Sequence, residues 1–349
     1  MFDCKIDAAI NTGNIHFKRE EMKALSIVLS VTAIVQADQF VDSSIPEREV
    51  TLDQDDFERA RFVTSDSDDG ENAPMYNSQL FEGDITNPDL NTGTHLAAES
   101  MRNAIIGQYK KWPNGRVPYK ISSQYLNNSR ATIALAMEDF SKHTCVHFVP
   151  KQSSDTDYVF IKPDSGCYSM VGRTGGPQNI SLGIGCIWKG VVIHELMHAV
   201  GFFHEQSRTD RDNYVDIFYE NMKKGTEYQF QKYNARQVSD LGTSYDYGSI
   251  MHYGELYFSR NGLPTIKPKQ SGATIGQRKG FSRIDTIKIN KLYGCGGPSG
   301  VVQVTTTTVR PDQCRDTIDS CARWVRYNWC RGRTEKLMRR TCARSCQFC

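Results

Sequence analysis

The run His194-Glu-Leu-Met-His198-Ala-Val-Gly201-Phe-Phe-His204-Glu205 constrains this 349-residue chain more than any other feature. Residues four apart on a helix lie one turn above each other, so His194 and His198 project from one face and can grip a single ion. Gly201 can adopt the left-handed conformation that ends a helix, which lets the chain reverse and deliver His204 as a third ligand. Three protein ligands in a tetrahedral zinc site leave one position open, the arrangement of a catalytic ion. Glu195, beside the first ligand, is placed to take a proton from a water activated there. A bare His-Glu-x-x-His arises by chance in about 1 % of chains this long, and Gly201 and His204 at fixed offsets push that far lower. Histidines merely satisfied in a core are the competing reading, and this spacing disfavours it. His143 and His147 also sit four apart, but with no glutamate between them and no third partner they read as surface or core residues.

Ahead of this run the chain shows the marks of export. Lys23, the apolar stretch 24–37 and the small-residue site Val35-Gln36-Ala37 resemble a secretory signal, with cleavage expected after Ala37. Met22 stands directly before Lys23 and is the expected start, which makes 1–21 an upstream extension. At fourteen residues the apolar stretch falls short of the ~20 a membrane span needs, so no spanning helix is expected. Eleven cysteines divide into Cys4, a group of four (Cys145, Cys167, Cys186, Cys295) and a terminal six (Cys314, Cys321, Cys330, Cys342, Cys346, Cys349). Even clusters behind a signal read as disulfides of a secreted, extracellular protein.

The formal net charge of +2 conceals two opposed halves. Residues 38–102 carry sixteen acidic side chains against four arginines, whereas 103–349 carry 34 basic and 20 acidic ones, a net of +14. An acidic leader on a basic body predicts an intramolecular electrostatic partner and, once the leader is lost, attraction to anionic surfaces or substrates. From Asp38 to about Asn77 no period is sustained, and little fixed structure is expected.

From Pro113 onward the texture becomes that of a folded domain. Strands are expected at 116–121, 146–149 and 158–161, and a helix at 129–143 with Ser129 as its N-cap. A glycine-rich loop follows at 172–185, then a helix from Val191 to Val200. Strands and helices without regular alternation predict an α+β fold. After Cys295 the stretch 296–313, with the run Thr305–Thr308, has the composition of a linker. Residues 314–349 form a six-cysteine unit too small for a core of its own, which must be stapled by disulfides.

The stretch His194 to Asp212 (HELMHAVGFFHEQSRTDRD) resembles the full signature of the astacin metalloproteases, and Ser249-Ile-Met-His-Tyr253 resembles their Met-turn. The resemblance covers residues 103–295. It implies a secreted zinc-dependent endopeptidase of two subdomains with the active-site cleft between them, binding one catalytic Zn2+ through His194, His198 and His204. Glu195 would be the catalytic base and Met251 the floor beneath the metal. Tyr253 would be an additional zinc ligand that swings away to hydrogen-bond the oxyanion of the tetrahedral intermediate. Disulfides Cys145–Cys295 and Cys167–Cys186 are implied. So is an acidic pro-segment (38–102) in which Asp84 of Phe81-Glu-Gly-Asp84 occupies the zinc position meant for water. A carboxylate is a good zinc ligand, so the logic of such a switch stands on chemistry alone. Cleavage between Arg102 and Asn103 by a trypsin-like protease would activate the chain and bring the new amine to Glu205.

The terminal cysteine spacing resembles the ShK-type domain, which implies Cys314–Cys349, Cys321–Cys342 and Cys330–Cys346 out of fifteen pairings the sequence allows. Nine basic residues against three acidic ones suit binding of anionic matrix or membrane glycans. Asn127 and Asn179 head N-glycosylation triplets. Protein or peptide substrates, among them extracellular-matrix proteins, are the expected partners, and no nucleic acid. Two other classes compete. A binding protein acting through the six-cysteine unit would be expected to have lost a ligand or Glu195. A zinc exopeptidase would need a group that captures a substrate terminus. Arg278 and Lys279, together with the positive charge, predict a preference for acidic residues after the cut.

Overall fold

The computed structural model describes residues 40–63, 74–86, 104, 108–232 and 239–296, together with 321, 338, 342 and 344–346. In chain order the elements are β1 Glu49–Val50, α1 Gln54–Ala60, β2 Arg116–Ser122, α2 Asn127–His143 and β3 His147–Pro150. They continue with β4 Tyr158–Lys162, β5 Cys167–Tyr168, β6 Pro177–Leu182, α3 Lys189–Ala199, β7 Val215–Ile217, β8 Ile266–Pro268 and α4 Arg283–Tyr293.

The architecture is α+β. One sheet holds six strands, in which β2, β3, β4 and β6 run parallel while β1 and β5 are antiparallel additions. Both edges of β2 are used, since Tyr119 faces Pro150 on one side and Val159 on the other. Where β3 ends, β1 takes over that edge, so Ile121 lies between Val50 and Ile161. The helices α2 and α3 share the sheet's core, where Phe140 meets Phe148 and Phe281 edge-on at 5.2 and 4.8 Å. A second core, built from Val215, Met222, Phe230, Tyr253, Tyr257, Phe258, Ile266 and neighbours, lies beneath the β7–β8 ribbon. The histidine run meets both, because α3 belongs to the first core and the His204 ring lies 4.8 Å from that of Tyr253 in the second.

Three expectations are corrected. The glycine-rich stretch 172–185 contains strand β6, whose Ile180, Ser181 and Leu182 are buried; its glycines flank the strand instead of dissolving it. Helix α2 begins at Asn127 with Leu126 at the N-cap, where no side chain caps it. Ser129 lies inside the first turn, and its hydroxyl donates to the Phe40 carbonyl at 2.5 Å.

The acidic stretch is the third, being ordered over 40–63 and 74–86. Asp53 and Asp56 form a capping box that starts α1. Asp56 is buried and accepts from Arg130 of α2, with Nε at 2.9 Å and a terminal nitrogen at 2.5 Å, and from Arg59 at 3.0 Å. Local period could not foretell this, because the partner lies 74 residues away. The ion pair is the electrostatic partnership that the charge asymmetry predicted. Asp56→Ala is expected to loosen α1 by on the order of 2 kcal/mol, since it strands a half-buried guanidinium. Earlier proteolytic cutting within 40–63, with 108–295 still resistant, is the expected readout.

Candidate active site

Helix α3 is buried along nearly its whole length, and its His194 and His198 rings stand one turn apart with centroids 4.7 Å from each other. At its end Gly201 takes φ 114°, which a side chain would resist, and the amide donates back to the His198 carbonyl at 2.8 Å. The reversal brings the His204 ring to 5.1 Å from His194 and 4.8 Å from His198. All three rings are fully buried.

The tautomers follow from the outer nitrogens. Nδ1 of His194 donates to the Ile250 carbonyl at 2.8 Å, that of His198 to the Phe202 carbonyl at 2.6 Å, and that of His204 to the Glu82 carboxylate at 2.8 Å. Each Nε2 is therefore left as a lone pair aimed at the others. The Nε2 atoms of His194 and His204 are 3.2 Å apart, close to the ~3.4 Å edge of a tetrahedron with ordinary zinc–nitrogen bonds. Lone pairs this close repel unless a cation lies between them.

Asp84 completes the set. Its Oδ2 lies 3.2 Å from His194 Nε2 and 3.3 Å from His204 Nε2, and its Oδ1 lies 3.4 Å from His198 Nε2. The four ligand atoms fall within 4.8 Å of one another. Asp84 Oδ1 and His198 Nε2 are buried without a hydrogen-bond partner, which is the signature of groups meant for a metal. Chemistry and spacing both fit one Zn2+. Both Glu195 oxygens are likewise buried and unpartnered. Burial raises the Glu195 carboxyl well above the ordinary range, the neighbouring Asp84 adds to the shift, and Arg278 opposes it.

The turn that aims Asp84 is strained. Glu82 has φ 46° and Gly83 φ 83°, and a Cβ on Gly83 would meet the Met75 carbonyl at 2.7 Å. Glu82 was no more than a motif letter in the sequence, yet it reaches three residues here. Its carboxylate takes His204 Nδ1–H and the Ser207 hydroxyl, and its carbonyl accepts from the Tyr253 hydroxyl at 2.7 Å. Tyr253 thus points at the chain's own acidic segment, with its ring 4.8 Å from that of His204.

Met251 is buried in the core that holds α3. Glu205 is buried too, so an exposed carboxylate is excluded; it accepts from Lys288, from the Asp246 amide at 3.0 Å and from Arg208 at 3.4 Å. Arg102 and Asn103 lie outside the described residues, but Ala104 is buried and bridges Phe202.

Disulfides join Cys145 to Cys295, Cys167 to Cys186 and Cys321 to Cys342, with Cα–Cα distances of 5.5, 5.7 and 5.3 Å. Cys314, Cys330 and Cys349 lie outside the described residues. Asn127 is exposed at the start of α2. Asn179 is half-buried in β6, and the Ser181 hydroxyl of its triplet donates to the Gly166 carbonyl at 2.6 Å. No described helix is long and apolar enough to cross a membrane.

Residues 104–294 match the model of the Astacin peptidase family. The chain belongs to the astacin family. Residues 313–349 match the ShK domain-like model, so this astacin carries a small disulfide-linked module after its peptidase domain. It is 44 % identical over 357 residues to zinc metalloproteinase nas-15 of Caenorhabditis elegans, an alignment covering 89 % of this chain and 62 % of that one. To nas-13 of the same organism it is 48 % identical over 291 residues, 80 % of this chain and 63 % of the relative. It therefore spans somewhat less than two thirds of either relative's length. With nas-4 it shares 46 % over 275 residues, 77 % of this chain and 87 % of the relative. Among solved structures it is similar to High choriolytic enzyme 1, a hatching enzyme zinc-protease from Oryzias latipes. The TM-score is 0.52 at 42 % identity, over 55 % of this chain and all of that one. The constellation in this astacin thus falls within the residues that the family model matches, with three histidines and Asp84 placed to hold one metal ion.

Proposed function

We propose that this astacin is a secreted endopeptidase made as an inactive precursor, in which residues 38–102 are the pro-segment and Asp84 holds the zinc position that water needs. The observation that carries the reading is the Asp84 carboxylate lying against all three ligand nitrogens. Two further contacts support it. The Glu82 carbonyl occupies the Tyr253 hydroxyl. Phe40, Arg59 and Phe62 line one cleft together with Trp188, Arg278 and Lys279. Disulfides at Cys145–Cys295 and Cys167–Cys186 suit an oxidising, extracellular setting.

With the segment gone, a zinc ion held by His194, His198 and His204 would supply Lewis acidity to a water and to the peptide carbonyl. Glu195 takes the water's proton and later gives it to the leaving amine. Tyr253, released from Glu82, would be free to donate its hydroxyl to the oxyanion and to serve as a further zinc ligand. Substrates are protein or peptide chains, extracellular-matrix proteins among them. The six-cysteine module serves as an accessory binder of anionic surfaces.

The test uses blocked, internally quenched peptides, on which an exopeptidase cannot act. Cleavage is expected only after trypsin treatment and is abolished by a chelator, while Arg102→Gln prevents activation. Zinc bound without any cleavage would instead favour a binding protein acting through residues 314–349.

Substrate preference is proposed to follow Arg278. Its guanidinium is held by the His252 carbonyl at 3.1 Å and the Tyr257 hydroxyl at 2.7 Å, and Nε is buried without a partner. An acidic side chain just after the cut would meet that charge. Matched peptides with Asp or Ala there should differ by about tenfold in kcat/KM, and Arg278→Met should erase the difference. Equal turnover by the unsubstituted enzyme would rule the preference out.

A further inference from the structure

A dense group of buried charge away from the metal lies directly behind the third histidine. Glu205, Arg208 and Lys288 are each at most 2 % exposed. Arg208 is committed largely elsewhere, with two bonds of 2.8 Å to Asp210 and others to the Thr243 and Ser244 carbonyls at 3.1 and 3.3 Å. The close cation on Glu205 is therefore Lys288, whose ammonium donates to Oε2. Glu205 in turn ties two loops together. Its amide donates to the Met251 carbonyl at 3.0 Å, and its Oε1 accepts the Asp246 amide at 3.0 Å. The first contact is one residue from His204, and the second starts the loop that carries the Met-turn.

Lys288 lies on α4 three residues after Asp285, so both project from one face. The buried Asp285 carboxylate accepts from the Ser249 hydroxyl at 2.6 Å and the Ile250 amide at 2.9 Å. The Ile250 carbonyl then orients His194 through its Nδ1–H. One helical face therefore braces two zinc ligands from behind, His194 by way of Asp285 and His204 by way of Lys288 and Glu205. All of this is in place while the chain is uncut. Ala104, just past the expected cleavage point, is already buried against Phe202.

We infer that Lys288 is a positioning residue that supplies the counter-charge for Glu205, so that the third-ligand loop is assembled without a free amine beside it. Activity should then depend on removing residues 82–84 and not on where the new terminus falls. The activity arm of this inference rests on the precursor reading above; a zinc-affinity arm does not.

The experiment takes the full chain with a factor Xa site placed so that cutting leaves either Asn103 or Ala97 as the first residue, the longer form carrying Arg102→Gln. The value read is the ratio of kcat/KM between the two forms. With Lys288 intact it should stay within about threefold, whereas in Lys288→Met, where Arg208 at 3.4 Å is the cation left and a terminal amine would have to replace the close one, the longer form should fall about 30-fold behind. Lys288→Arg should restore a ratio near one, as should Lys288→Met with Glu205→Gln, which leaves no carboxylate at 205 to neutralise. In the uncut chain, Lys288→Met should weaken zinc in a chelator competition about tenfold, and the double variant should recover it. If Lys288→Met is not secreted, secretion of the double variant bears the inference out, and failure of both overturns it. A dependence on the terminus of about 30-fold with Lys288 intact, or an uncut Lys288→Met chain that binds zinc normally, overturns it too. If no form cleaves any peptide, the precursor reading fails, and the zinc competition still decides the role of Lys288.

Discussion

Glu195→Gln in the trypsin-activated chain is expected to lower kcat/KM by about 10³ to 10⁴-fold while leaving bound zinc at one per chain. The substitution is close to isosteric, and neither Glu195 oxygen has a hydrogen-bond partner to lose. The three histidines are oriented by Ile250, Phe202 and Glu82, not by Glu195, so the metal site should survive. What disappears is the carboxylate beside the zinc position that is proposed to accept the water's proton and pass it to the amine. General acid–base catalysis is worth about 10² to 10⁴-fold, and a residue acting in both steps belongs at the upper end. Kinetics on a blocked peptide together with metal analysis decide the matter. A loss below tenfold would mean that another base serves. A large loss accompanied by loss of zinc would assign Glu195 a structural role.

Asp84→Ala is expected to break latency before any cut. The Asp84 oxygens approach all three histidine nitrogens, and no other carboxylate in the described residues joins that set. If these contacts favour the closed state by about 3 kcal/mol, the open fraction of the uncut chain should rise about 100-fold, and its activity with it. Activity should remain below that of the cut enzyme, because Glu82 still holds Tyr253 and His204. Latency unchanged in Asp84→Ala would show that the turn at 81–85 blocks the cleft by bulk alone. Adding Glu82→Ala should raise the activity of the uncut variant further by freeing the Tyr253 hydroxyl.

The zinc ligands were legible because their geometry is local: a helix of fixed pitch and one glycine place three histidines within eleven residues of chain. The α+β class was legible for a similar reason, since apolar period and glycine punctuation are read over short windows. The ordered acidic segment was missed because its order comes from outside itself. Asp53 and Asp56 do carry a capping signal, but α1 is held in place by Arg130, far along the chain. Ser129 looked like a cap for the same local reason, yet the Phe40 carbonyl claimed its hydroxyl.

The braces behind the site were beyond any reading of pattern. Lys288 and Glu205 are 83 residues apart, and Asp285 reaches Ile250 across 35. Nothing in the letters pairs one lysine with one glutamate among 42 basic and 40 acidic residues. Residue chemistry together with helical pitch pointed to the ion that fits and to Glu195 as the group to move the proton. Which distant charges hold those groups still, and how the acidic segment turns through Glu82 and Gly83 to reach the metal, was decided by packing. A buried charge has to find a partner wherever the fold brings one, and sequence distance says nothing about that.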